Sequence, residues 1–129
     1  MSSAIDNEKP SQILDNKQSL DKLKTESSKM ITKYPDRVPV IVKKAQQCNN
    51  IPNISREKFL VPKDLSVGQL MYVIRQRIKL QPEIALFFMV GKKNIVLPTS
   101  SQLVSHLYDE SKDENGFLYI IYTGESTFG

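Results

Sequence analysis

Glu57-Lys58-Phe59-Leu60-Val61-Pro62 is the stretch on which the reading of the fold turns. In an extended chain successive side chains point to opposite faces, so Lys58 and Leu60 go one way and Phe59 and Val61 the other. Both faces are therefore apolar. Proline cannot donate to a ladder and is tolerated at strand ends and edges, so Pro62 places this strand at a sheet margin. An open edge invites a partner strand. On these six residues alone an ordinary core strand closed by a proline is the favoured reading, and it is the rest of the chain that shifts the balance toward an open edge.

Upstream, Arg37 to Lys44 reads as the antiparallel neighbour, with Val38, Val40 and Val42 on one face and Pro39 and Ile41 on the other. Both of its faces need a cover of helix. Downstream, Ser66 with Gln69 forms a capping box that opens a helix over Val67 to Lys79. At 100° per residue Val67, Met71, Ile74 and Ile78 make its core stripe, with Leu70, Val73 and Arg77 as a flanking row. Gln81-Pro82 ends that helix. Leu86–Val90 and Asn94–Leu97 then read as a strand pair around Gly91-Lys92-Lys93, closed by Pro98. Thr99 with Gln102 predicts a second capping box, before a short helix carrying Leu103, Val104, Leu107 and Tyr108. Asp109 to Gly116 is an acidic turn and Phe117 to Tyr122 an apolar last strand.

At the other end, residues 1–10 read as a flexible polar arm. Residues 11–32, with Ile13, Leu14, Leu20, Leu23, Met30 and Ile31, read as two short helices or one broken one, ended by Tyr34-Pro35. The second cover for the Arg37–Lys44 strand has to come from here. The predicted order is ααββαββαβ, which without its first two helices is the β-grasp order of hairpin, crossing helix, strand pair and returning strand. The expected class is α+β: a β-grasp, ubiquitin-like fold over residues 33–122 with two additional N-terminal helices and a projecting tail over 123–129.

A chain of 129 residues supports one core. No apolar run approaches the roughly 20 residues of a membrane span, and Met1–Lys9 lacks a signal-peptide apolar region, so a cytoplasmic protein is expected. One cysteine, Cys48, gives no internal disulfide and no Cys-rich metal site. The net charge of +4 is uneven: residues 33–82 hold ten basic against three acidic groups, and residues 83–129 three against six. That basic half can attract acidic peptides, anionic membrane or nucleic acid.

Chemistry of the enzymatic kind is not visible. Catalysis needs convergent acids, bases or nucleophiles, whereas the single histidine, His106, reads as a surface residue and Cys48 as an inert loop thiol. The five glycines, Gly68, Gly91, Gly116, Gly124 and Gly129, are too scattered for a phosphate-binding loop. A non-enzyme with no cofactor and no metal is expected. The tail ends in Phe128-Gly129, and a residue without a Cβ can thread a narrow site that activates its carboxylate.

Lys33-Tyr34-Pro35-Asp36-Arg37-Val38-Pro39-Val40-Ile41-Val42, Lys58-Phe59-Leu60-Val61-Pro62, Ala85-Leu86-Phe87-Phe88, Gly116-Phe117-Leu118-Tyr119 and Phe128-Gly129 together resemble the autophagy ubiquitin-like modifiers, the family of GABARAP and the microtubule-associated light-chain modifiers. The resemblance covers residues 20–129. It implies a modifier whose Gly129 is activated by a ubiquitin-type enzyme, passed through conjugating-enzyme thioesters and joined to phosphatidylethanolamine on autophagosome membranes, with Phe128 serving tail recognition. A cysteine protease of the pathway would expose the glycine and later release the lipid. Leu97-Pro98-Thr99 stands where the family has Pro-Pro-Thr, and Met30 where a branched aliphatic is common.

The resemblance also implies docking of aromatic-x-x-aliphatic motifs of cargo receptors and adaptors. The strand explains that spacing: a peptide added at the edge alternates faces, so anchors three apart reach opposite sides of the sheet. Carried over by position, the aromatic pocket comprises Glu26, Met30, Pro39, Lys58, Leu60 and Phe117. The aliphatic pocket comprises Ile41, Phe59, Val61, Pro62, Leu65, Leu70 and Val73. Arg37, Arg75 and Arg77, with Lys58, form a basic rim for acidic flanks. A monomer in solution is expected. The rival reading is an unconjugated ubiquitin-like adaptor of trafficking or microtubules; a nucleic-acid module would want exposed aromatics interleaved with the basic residues.

Overall fold

The computed structural model describes residues 10–91 and 95–124. Residues 1–9 of the arm expected over 1–10, residues 92–94 of the connection and residues 125–129 of the tail lie outside them, while Pro10, the last residue of that expected arm, is the first residue of a helix. The N-terminal segment forms one continuous helix, α1 (Pro10–Lys33), rather than two short helices or a broken one. After Pro10 it contains neither glycine nor proline, so nothing in its backbone forces a break. Pro10 itself sits at the first turn, where its missing N–H has no intrahelical partner to lose. Leu20, Leu23, Glu26 and Met30 are half-buried and Ser27 is buried, a set of three- and four-residue spacings that defines one face.

Among the described residues four strands follow in one sheet: β1 (Arg37–Lys44), β2 (Lys58–Pro62), β3 (Phe87–Met89) and β4 (Leu118–Thr123), in the spatial order β2-β1-β4-β3. β1 and β4 are parallel in the centre, and β1–β2 and β3–β4 are antiparallel. With α2 (Val67–Ile78) and α3 (Val104–Ser111) this is the expected α+β, β-grasp arrangement. The register pairs Val38 with Val61 and Val40 with Phe59, which fixes those four on one face. They join Val42, Leu118, Ile120, Tyr122 and the buried residues of α2 in the main core. Pro39 pairs with Leu60 and Ile41 with Lys58 on the other face, toward α1.

The predicted second strand pair is much reduced. β3 holds three residues, and the described part of the segment expected as its partner, residues 95–97, makes one bridge, Val96 with Val90, through N–H···O bonds of 2.9 and 2.8 Å. Pro98 cannot extend that ladder. Ile95, Val96 and Leu97 are at least half exposed, so no burial rewards a longer strand.

The core stripe of α2 is Val67, Leu70, Ile74 and Ile78, with Met71 only half-buried. Leu70 therefore belongs to the core and not to a flanking row. The capping box forms in full: the Gln69 N–H donates to Ser66 Oγ (3.1 Å) and the Ser66 N–H to Gln69 Oε1 (2.9 Å). The second expected box does not form. α3 starts at Val104 behind Leu103, and the Gln102 side chain donates to Glu110 instead. Its role is taken by backbone: the first N–H groups of α3, on Val104 and Ser105, donate to Leu65 O and Lys63 O, while those of Val67 and Gly68 in α2 donate to Gln102 O and Ser100 O. Each helix start is satisfied by the leader of the other, which removes the need for a side-chain cap on α3.

The two boxes therefore make a paired prediction for urea unfolding. Ser66→Ala should lower stability by about 1 kcal/mol. Thr99→Ala should change it by less than about 0.5 kcal/mol, as a surface substitution that caps nothing.

Candidate functional site at the sheet edge

β2 is an edge strand with β1 on its inner side. The Val42 N–H donates to Glu57 O (2.8 Å), so by the alternation of an antiparallel ladder Phe59 and Val61 face β1 and the backbone groups of Lys58 and Leu60 point outward. Arg56 Nε donates to the outward Lys58 carbonyl at 3.0 Å. Sequence reading missed Arg56; its only signal was its place two residues before Lys58 in the basic half.

On the α1 side the structure brings the predicted aromatic-pocket residues together. Lys58 Nζ reaches Glu26 Oε1 at 2.9 Å and lies 5.9 Å from the Phe117 ring centroid. Pro39 is buried beside the half-buried Leu60, Phe117 is buried completely, and Met30 is half-buried on α1. Ile41, predicted for the other pocket, belongs here. Its partner across the ladder is Lys58, so strand parity puts it on the α1 face, away from Phe59 and Val61.

On the α2 side Phe59, Val61 and Leu70 are buried in the main core, with Pro62 and Leu65 half-buried and Val73 exposed at the margin. The Phe59 ring has Arg77 5.1 Å and Arg56 5.6 Å from its centroid, within cation–π range. Of the basic rim, Arg77 is therefore at the edge. Arg37 is exposed at the start of β1, opposite Pro62. Arg75 is engaged elsewhere: its guanidinium donates to Ile84 O (2.8 Å) and Gln81 O (3.1 Å), holding the turn after α2.

A polar hub fixes α1 over the sheet. Ser27 Oγ donates to Asn115 O (2.7 Å), Asn115 Oδ1 accepts from the Phe117 N–H (3.0 Å), and Asn115 Nδ2 donates to the Tyr119 hydroxyl (2.9 Å). Both Ser27 and Asn115 are buried. Gly116, at φ 86°, has no room for a Cβ, which would run into Ser27 Oγ. The Tyr108 hydroxyl donates to Gly116 O at 2.6 Å, and burial, then the neighbouring Asp109 charge, pushes its pKa above 10.0. Neutral Tyr108 is favoured by the fold, so its contribution is fully present below pH 10.0 and lost as the pH rises through the raised value. The sequence signal for this hub was Ser27, a small polar residue on the row otherwise made by Leu20, Leu23 and Met30.

The family described as "Autophagy protein Atg8 ubiquitin like" matches residues 22–129. The chain belongs to the Atg8 family. Autophagy-related protein 8 of Mycosarcoma maydis is 53% identical over 114 residues, covering 88% of this chain and 93% of that protein. Autophagy-related protein 8e of Arabidopsis thaliana is 53% identical over 109 residues, covering 84% and 86%. The crystal structure of Trypanosoma brucei ATG8 superposes with a TM-score of 0.76 at 40% identity, covering 85% of this chain and 91% of the other. This Atg8-family chain is thus an autophagy ubiquitin-like protein with a ubiquitin-like fold. Among the described residues no helix is long and apolar enough to cross a membrane.

Two substitutions separate the hub from the surface pair. Gly116→Ala should destabilise by about 1–3 kcal/mol, because a strained backbone and a clash at Ser27 coincide, and should increase apolar-dye binding as α1 lifts. Glu26→Gln removes a half-exposed ion pair and should cost no more than about 1 kcal/mol in the same unfolding measurement.

Proposed function

We propose that this Atg8-family chain is a conjugated docking platform: Gly129 is joined to phosphatidylethanolamine on autophagosomal membrane, and β2 receives aromatic-x-x-aliphatic motifs of cargo receptors and adaptors. The observation that carries the docking half is the outward backbone of Lys58 and Leu60, flanked by one apolar seam on the α1 face and another on the α2 face. An added strand gains main-chain hydrogen bonds, and its alternating side chains reach both seams. The aromatic anchor fits between α1 and β2, beside Phe117, Pro39, Ile41 and Leu60; the aliphatic one fits where Pro62, Leu65 and Val73 border the Phe59–Leu70 core. Arg37, Arg56 and Arg77 supply positive charge for acidic flanks, which steers encounter more than it adds affinity.

The conjugation half is supported by the family match, which runs through residue 129. In chemical terms the Gly129 carboxylate attacks the α-phosphorus of ATP and releases pyrophosphate, giving an acyl adenylate. A cysteine thiolate of the activating enzyme displaces AMP to form a thioester, which passes to the conjugating enzyme. The amine of phosphatidylethanolamine then displaces that thiol, loses a proton and forms an amide. The chain supplies the acyl group and its carrier, and the partner enzymes supply the catalytic groups; a cysteine protease of the pathway reverses the last bond by hydrolysis.

Liposome flotation after enzymatic conjugation, run beside peptide titration, tests both halves. Deleting Gly129 should eliminate the lipid adduct and leave peptide affinity unchanged. Lys58→Ala with Leu60→Ala should weaken peptide binding at least about tenfold, the scale of one partly buried anchor, while conjugation proceeds. These two positions are chosen because Phe59 and Val61 are core residues whose loss would unfold the edge itself. A chain that binds peptide and never acquires lipid would be the unconjugated adaptor instead.

A further inference from the structure

The end of β4 is held by the loop between β1 and β2. The Ala45 N–H donates to Tyr122 O (2.9 Å) and the Tyr122 hydroxyl donates to Pro52 O (2.7 Å). One residue past the strand, the Gly124 N–H donates to Cys48 Sγ at 3.3 Å, and the Cys48 thiol in turn donates to Asn50 Oδ1 at 2.9 Å. Cys48 and Ile51 are buried. The glycine is what permits this approach: a Cβ at position 124 would sit 3.0 Å from both Asn50 Oδ1 and Ile51 Cγ2, tighter than ordinary contact. Cys48 thus has a partner on each side, and the loop closes over the root of the tail.

We propose that the Cys48–Asn50–Gly124 contact is a latch that positions the reactive tail, so that these residues act as positioning residues for conjugation through Gly129. This rests on the reading of Gly129 as the reacting residue. From Gly124 five residues remain to the carboxylate, a maximal reach of about 17 Å when extended. Latching the root fixes the direction of the backbone at Gly124, from which the reacting end is reached. Without the latch, the backbone at 124 must be ordered each time the tail enters the activating enzyme, which weakens productive binding by roughly five- to thirtyfold for one residue. Chemistry at the carboxylate, once seated, is unaffected. The latch lies on the loop that precedes β2, away from the outward backbone of Lys58 and Leu60, so peptide docking is independent of it.

Cys48→Ala removes both hydrogen bonds, Gly124→Val wedges the loop from the half-exposed tail side, and Cys48→Ser keeps a donor and an acceptor. Amide exchange at residue 124 reads the latch, and thioester formation with the family's activating enzyme and ATP reads its use. Cys48→Ala and Gly124→Val should speed amide exchange at residue 124 at least about tenfold and raise KM for charging roughly five- to thirtyfold at unchanged kcat. Cys48→Ser should keep both near wild type, and peptide affinity should stay constant throughout. Unchanged exchange in both disrupting variants overturns the latch. Faster exchange with unchanged KM, or a fall in kcat alone, overturns its role in positioning. Absence of any thioester with the wild-type chain overturns the reading of Gly129 and this inference with it.

Discussion

β1 is buried on both faces, from Val38 through Val42 without interruption, and the rest of the molecule follows from that constraint. A strand with no wet face must have a layer on each side and a neighbour along each edge. α2 covers the Val38, Val40 and Val42 face, and α1 covers Pro39 and Ile41. β4 takes one edge in parallel, which requires a long connection, and that connection carries β2, α2, β3 and α3. β2 takes the other edge by a loop and is left as the margin of the sheet. The two seams beside β2 exist because two separate covers end there.

Those seams are built differently. The α1 seam is closed by polar bonds from a buried hub, with Ser27, Asn115 and Gly116 locking the helix to the turn before β4. Glu26 and Lys58 cross its mouth as a half-exposed pair, which contributes little to stability and can exchange partners at small cost. The α2 seam is closed by the core itself. Phe59 is buried in the same core as Val61 and Leu70 with two guanidinium groups near its ring, so the less buried part of this seam is its margin at Pro62 and Leu65.

One loop also ties distant parts of the chain together. The β1–β2 loop leads into β2 at Lys58 and also meets the backbone that leaves β4 at Gly124. The hydrogen bonds between helix leaders work in a similar way, since residues 63–68 and 100–105 satisfy one another's backbone where side-chain caps alone would leave donors open. Long-range backbone pairing of this kind leaves almost no trace in residue type.

Alternation and punctuation are local properties, and the sequence by itself determined whatever depends on them. It specified the faces of β1 and β2, the edge position marked by Pro62, the capping box at Ser66 and Gln69, and the β-grasp order, because each follows from backbone geometry acting over a few residues. Motifs held in fixed order specified the family. Tertiary structure decided the rest. Whether residues 10–33 form one helix, whether Leu70 or Met71 faces inward, and whether Thr99 caps α3 depend on what packs against them. Ile41 lies on the α1 face with Pro39, as their parity in the strand requires, and its register opposite Lys58 separates it from Phe59 and Val61. Arg75 looked like Arg77 in sequence and differs because the turn at residues 81–84 brings carbonyl oxygens to it. Cys48 and Gly124 are 76 residues apart, and only the central pairing of β1 with β4 brings the loop after one strand against the tail leaving the other.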